Sequence, residues 1–494
     1  MRILLASSEV HPYSKTGGLA DMVGSLAKTL AHAGHQVGVV TPLYAGIRER
    51  FPQLRRLDLP LELPLGPQQV KGEVWSLEQA PGLTLYFVDQ RAFYERADLY
   101  QEEGADYPDN AERFIYFSKA AAHLATGLPF APEVLHVHDW QAGMAALLLQ
   151  FQRRLEGRGR APGICLTIHN LAYQGLFPAG KYALTNLPWD YFTPAGVEFY
   201  GQLSCLKAGI VYADVITTVS PRYAREITTE ELGCGLDGLL RRRNSDLVGI
   251  LNGVDYEEWN TISDPYLTHH YSASDLSGKA ANKLDLQREF GLPVDARVPL
   301  FGNVGRLAEQ KGVEIMLGAL EEMLSAKLQF VMIGSGVLAF QRAYQDLARR
   351  YPTQVAVRIG FDEGLSHRIE AGCDFFLMPS RFEPCGLNQM YGLRYGTIPI
   401  VRATGGLDDT VVDIRENGRQ ADGIKFFECS AQALAKGIRK ALALYETPEL
   451  FHLFRTNGMA ADFSWNRTVA EYVKAYEQAQ SHAAHWTVQS GAGP

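Results

Sequence analysis

The sequence predicts an α/β fold made of two Rossmann-like parallel-sheet domains, and three observations carry that reading. Short apolar runs alternate with helical stretches along most of the chain, the pattern of parallel strands joined by covering helices. Many of these runs end on glycine or a polar cluster, the place where open parallel sheets gather their ligands. The motif Thr16-Gly17-Gly18-Leu19-x-Asp21 also recurs as Thr404-Gly405-Gly406-Leu407-x-Asp409. Two similar halves, each with a Gly-rich loop facing a common cleft, account for the recurrence; chance is the alternative, since Gly-Gly before a helix is common.

With 494 residues the chain is too long for one ordinary core, which favours two large domains. A hydrophobic content of 46% against 21% charged residues is that of an ordinary globular protein. A formal charge of −8 argues against nucleic acid or an anionic membrane as partner, although local basic pockets remain possible. Cys165, Cys205, Cys234, Cys373, Cys385 and Cys429 show no zinc-type spacing, which fits reduced thiols in the cytoplasm. Neither the polar Ser7-Ser8-Glu9 close to Met1 nor any later run suits a signal peptide or a membrane span.

Taken in order, residues 2–6 form a strand, and Lys15 to Asp21 lead into a helix with Leu19, Met22, Val23, Leu26 and Leu30 on its apolar face. Residues 37–41 are the next strand, 60–100 read as hairpin-type β structure, and 109–125 are helical. The run 134–137 is a buried strand that ends at His138-Asp139-Trp140 before a helix from Gln141. That triplet is either a site or a structural histidine with Asp139 capping the helix. Residues 164–168 end likewise at His169-Asn170, 215–219 at Ser220, and 250–255 read as a last strand and turn around Asn252. This gives a first domain over 1–254, and the polar, aromatic stretch 255–281 reads as the crossing to a second.

The second domain, 282–460, opens with a strand over 299–304, then Gly305-Arg306, a loop with Lys311-Gly312 and a helix. Strands at 329–333 and 355–359 follow. The densest stretch is Pro379 to Thr410: an apolar run delivers a turn with Arg381, Glu383 and Gly386, a helix over 387–395 follows, and a strand over 398–401 leads into Thr404-Gly405-Gly406-Leu407. A Gly-rich turn lets a helix N-terminus present bare N–H groups to an anion, so a phosphorylated ligand is expected there. The stretch 461–480 is an amphipathic helix with Val469, Tyr472, Val473 and Tyr476 on one face, and 481–494 read as a frayed tail.

Lys15, Arg306 and Lys311 are the cations beside these turns, suited to a diphosphate. Glu383 suits sugar or ribose hydroxyls, or else pairs with Arg381 as an ordinary turn residue. P-loop, zincin and α/β-hydrolase signatures are missing, so no metal and no nicotinamide cofactor is expected.

The combination of Lys15 to Asp21, His138-Asp139-Trp140, Thr167 to Gly175, Asn252 to Asp255, Gly305-Arg306 with Lys311-Gly312, Ser366-His367-Arg368 and Pro379 to Asp409 resembles the bacterial glycogen synthase and plant starch synthase family, from Ile3 to about Tyr476. The resemblance implies a GT-B glycosyltransferase whose C-terminal helix returns to the first domain. It implies transfer of glucose from ADP-glucose to the non-reducing 4-OH of an α-1,4-glucan such as glycogen, with retention of configuration. By the same resemblance Lys15 contacts the donor with Gly18 close to its phosphates, and Arg306 and Lys311 neutralise the departing diphosphate. His138 lies by the transferred glucose, Glu383 binds hydroxyls, and Thr404, Gly405, Gly406 and Leu407 supply backbone donors. Asp21 and Asn252 line the cleft. The wider glycosyltransferase pattern has a second glutamate where this chain has Tyr391, which excludes a two-carboxylate mechanism. Another GT-B enzyme, of sucrose-synthase or phosphorylase type, and a silent glucan-binding protein are the competing readings, and the choice between ADP- and UDP-glucose stays open.

Overall fold

The computed structural model describes residues 1–102, 104–156 and 162–489, with side chains to 484. It divides into two compact units. The first comprises Met1–Val219, Ala224–Gly253 and the chain from Trp465; the second comprises Val254–Ser464 with the short piece Ser220–Tyr223.

In the first unit a ten-stranded sheet runs in the order Leu247–Gly249, Val215–Thr218, Gly163–Ile168, Val134–His138, Arg2–Ala6, Gln36–Pro42, Leu83–Asp89, Gln68–Ala80 and Arg55–Arg56, with Leu61–Leu65 paired to Gln68–Ala80. The first seven of these are mutually parallel. Gln68–Ala80 then turns antiparallel and supplies the hairpins read from residues 60–100. Parallel strands have all their C-terminal ends on one edge, so the loops after Ala6, His138 and Ile168 emerge together.

The second unit carries six parallel strands in the order Val355–Ile359, Gln329–Gly334, Leu300–Val304, Phe375–Met378, Ile398–Arg402 and Ile424–Phe426. Side chains alternate faces along a strand, and here both faces are apolar. Phe301, Phe330, Met332, Phe375, Leu377 and Ile400 pack on one side, Leu300, Val331, Ile333, Phe376, Met378 and Val401 on the other. A sheet buried on both sides needs helices over each face, which is why its strands read as continuous apolar runs.

Three expectations are corrected. The strand placed at 250–255 lies earlier, at Leu247–Gly249; Asn252 and Gly253 are drawn instead against the C-terminal helix, where a Cβ on Gly253 would stand 2.7 Å from the Trp465 ring. The stretch 255–281 is part of the compact second unit and already includes the start of the helix Ser277–Glu289. The tail does not fray at 481, because the helix Trp465–Gln489 continues through it; residues 490–494 of that reading lie outside the described ones.

Candidate active site

In the first unit the loop after Arg2–Ala6 is braced by Glu9, which is 3% exposed. Its carboxylate accepts the Thr16 N–H, the Thr16 hydroxyl at 2.7 Å and the Tyr100 hydroxyl at 2.7 Å. It thereby holds Lys15 at the start of the helix Gly18–His32. Lys15 Nζ lies 2.8 Å from Asp21 Oδ1, so Lys15, Gly18 and Asp21 are brought together as one ion-paired helix start.

Three imidazoles meet at the ends of Val134–His138 and Gly163–Ile168. The His136 and His138 rings lie 4.1 Å apart, and His138 Nδ1 is 3.0 Å from His169 Nε2. His136 is tied to the Tyr476 hydroxyl at 2.9 Å and to the Thr167 hydroxyl at 2.6 Å. Burial lowers His136 and His169 to about 3 and drives His138 well below the usual histidine range, with the neighbouring rings adding to the effect. His138 Nε2 is closed to solvent and has no hydrogen-bond partner among the described residues. Two neutral rings sharing one N–H leave such a nitrogen able to bond a ligand hydroxyl. Asp139, the first residue of the helix Asp139–Glu156, holds a positive φ of 52° and accepts the His169 N–H at 2.7 Å, locking the two strand ends together. Burial raises its carboxyl to about 7. Asn252, 5% exposed, lies beyond the edge strand, its Oδ1 without a hydrogen-bond partner among the described residues.

In the second unit Lys311 and Glu383 meet directly, Nζ to Oε2 at 2.6 Å, and Ser380 donates to the same carboxylate oxygen at 2.9 Å. Glu383 is 5% exposed. Its pairing with Arg381 does not occur, because Arg381 turns to Glu314 at 2.7 Å. Gly312 makes the approach possible: its φ is +64°, and a Cβ there would stand 2.1 Å from the Pro379 carbonyl oxygen. Arg306 is exposed and takes part in no ion pair among the described residues.

The Gly-rich turn departs from expectation. Thr404 N–H donates to Arg402, Gly406 N–H to the carbonyls of Glu383 and Pro384, and Leu407 N–H to Thr404. Three of the four expected backbone donors are thus spent inside the protein, because the two loops lie in backbone contact. A Cβ on Gly405 would stand 1.9 Å from the Glu383 carbonyl oxygen, and one on Gly406 2.0 Å from that of Cys385. Nor are the two T-G-G-L-x-D loops equivalent. Gly17 is extended at φ −161° before a helix that starts at Gly18, whereas Gly405 is left-handed at φ +45° and begins its own helix, Gly405–Thr410.

Sequence reasoning missed Glu9 and Ser380. Glu9 follows a strand just as His138 ends one, so the strand-end rule could have found it; Ser380 had no signal beyond its place in the turn. Tyr391, where the wider pattern has an acid, stacks on Trp259 at 3.6 Å and 5°.

Comparison with known proteins matches residues 2–242 to the family described as "Starch synthase catalytic domain" and residues 287–452 to "Glycosyl transferases group 1". A protein named "Glycogen synthase" from Anaeromyxobacter sp. (strain Fw109-5) is 48% identical over 481 residues, covering 96% of this chain and 99% of that one. Among solved structures, the catalytic domain of Starch Synthase IV from Arabidopsis thaliana, bound to ADP and acarbose, superposes with a TM-score of 0.88 at 33% identity, over 97% of this chain and 99% of the other. Sucrose-phosphate synthase from Thermosynechococcus elongatus shares the fold, with a TM-score of 0.59 at 19% identity over 97% and 98% of the two chains.

Proposed function

Since the chain belongs to the glycogen and starch synthase family, we propose that its residues carry out retaining glucosyl transfer from ADP-glucose to the non-reducing end of an α-1,4-glucan in the following way. His138 Nε2, buried and without a hydrogen-bond partner among the described residues, is the observation that carries the assignment. An unpaired buried polar atom costs about 1–3 kcal/mol, and a hydroxyl of the transferred glucose relieves that cost. Glu383, oriented by Lys311 and Ser380, takes further hydroxyls of the donor. Lys15 contacts the nucleotide sugar, with Gly18 close to its phosphates, and Asp21 and Asn252 line the site.

Retention without a second carboxylate requires a front-face substitution. A retaining glycosidase sets two carboxylates about 5 Å apart, and Tyr391 occupies an aromatic stack instead. The sugar passes through an oxocarbenium-like state while the leaving diphosphate accepts the proton of the acceptor hydroxyl. Arg306 and Lys311 stabilise the charge that grows on the leaving group, with the Gly405 loop as a rigid wall behind Glu383. A cytoplasmic setting accords with six thiols, none of them in a disulfide.

The test measures ADP release from ADP-glucose and UDP release from UDP-glucose, each with and without glycogen. Glucan-dependent release of ADP in excess of UDP is expected, and a preference for UDP-glucose overturns the donor assignment. Lys311→Ala should lower kcat by about 10²- to 10³-fold while glycogen binding changes little, by analogy with the loss of an oxyanion donor. Equal losses in turnover and glucan affinity contradict the role given to Lys311.

A further inference from the structure

Within the second unit, the segment after Val254 meets the helix Glu363–Gly372 around His367. The His367 ring is fully buried, with Trp259 stacked on it at 3.8 Å and 13° and the Tyr266 ring 4.9 Å away. Nδ1 lies 2.7 Å from Asp264 Oδ2, an oxygen that also receives the Tyr395 hydroxyl. A carboxylate only accepts, so Nδ1 carries the proton and donates. That leaves Nε2, which is buried and has no hydrogen-bond partner among the described residues.

Two carboxylates share this place. Glu363 stands one helical turn before His367 on the same face, and Glu258 comes from the preceding segment. One ligand atom from each of Glu258, Glu363 and His367 lies within 4.8 Å of the others. With Nδ1 committed to Asp264, Nε2 is the ring nitrogen left to act as a ligand, its lone pair joining two carboxylates as donors to a cation.

We propose that Glu258, Glu363 and His367 bind a divalent first-row transition cation of zinc or manganese type, at a site distinct from the residues assigned to glucosyl transfer. One nitrogen and two carboxylate ligands suit such ions, whereas magnesium and calcium favour all-oxygen surroundings. Asp264 on Nδ1 supplies the outer carboxylate that fixes the tautomer of a metal-binding histidine. Solvent exposure of Glu258 gives the ion a way in. Once bound, the ion clasps the segment carrying Glu258 onto the helix carrying His367, a structural role with no step of the transfer passing through it.

The experiment uses the untagged full-length protein, stripped with a chelator and dialysed, and titrates it calorimetrically with Zn²⁺, Mn²⁺ and Mg²⁺. One saturable site for Zn²⁺ or Mn²⁺ is expected, together with a rise in thermal midpoint that Mg²⁺ does not produce. The Glu258→Gln/Glu363→Gln double variant should keep glucan-dependent ADP release and lose affinity by at least about tenfold, the loss typical even of outer-shell changes at metal sites. Should the double variant fail to fold, Glu258→Gln alone, at an exposed position, carries the same expectation. Affinity unchanged in the variant, an equal effect of Mg²⁺, or no saturable binding of either transition ion overturns the proposal.

Discussion

A histidine whose nitrogens are sealed from water can take up a proton only by unfolding or by moving. His136 and His169 are lowered to about 3 by burial, against an ordinary value near 6.5 in the unfolded chain. As pH falls through about 6.5, the unfolded chain binds protons that the native one does not, so the stability these rings contribute at neutral pH is lost progressively towards pH 3. Each ring accounts for about 2 kcal/mol between pH 6.5 and 5. Asp139 acts in the opposite sense: with its carboxyl raised to about 7 by burial, it favours the native state below about pH 4 and loses that contribution as pH rises through 7. Comparison with a variant isolates the imidazole. The thermal midpoint of the native sequence should fall more steeply from pH 7 to pH 5 than that of His136→Gln, and parallel profiles would sink this account.

At the scale of elements, the two Gly-rich loops share five identical residues over six positions but not a conformation, and paired substitutions expose the difference. Gly405→Ala puts a methyl group onto the Glu383 carbonyl at a left-handed φ. It should cost well over the roughly 1 kcal/mol of conformational strain alone, and should lower both thermal midpoint and turnover. Gly17→Ala meets nothing within 4 Å and should leave the midpoint unchanged; equal effects in a melting experiment would refute the distinction. The example also shows what the sequence makes legible. Strands such as Phe375–Met378 announce themselves by apolar composition, and their C-terminal ends point to His138, Arg306 and Glu383 because parallel topology puts strand ends on one edge. The fate of the Gly406 N–H does not announce itself, since it depends on a carbonyl far away in sequence that only the folded loops bring near. The Lys311–Glu383 pair escapes for the same reason: the two lie 72 residues apart in sequence, and nothing local says that they touch.

At the scale of the whole molecule, the chain returns at Trp465 to the unit it left at Gly253. The helix Trp465–Gln489 buries Val469, Tyr472, Ala475, Tyr476 and Ala479, and its backbone comes so near the strand Gly163–Ile168 that a Cβ on Gly163 would stand 2.7 Å from Ala479 C. The Tyr476 hydroxyl reaches His136, and the Thr468 hydroxyl donates to Leu251 O at 3.0 Å. This helix is therefore a layer of the first unit's core. Truncation after Ser464 should abolish the first unit's cooperative melting and open it to limited proteolysis, while a fragment spanning the second unit resists. A truncated protein that melts as the full chain does would contradict this.

That same helix sets an order of events in the cell. A polypeptide leaves the ribosome N-terminus first and its domains generally fold as units, yet the strands Val134–His138 and Gly163–Ile168 must wait for a covering helix translated only after the stretch Val254–Ser464. The whole second unit is made in the interval, so the nascent first half spends that time with an apolar sheet face uncovered, a surface that invites chaperones and, failing them, aggregation.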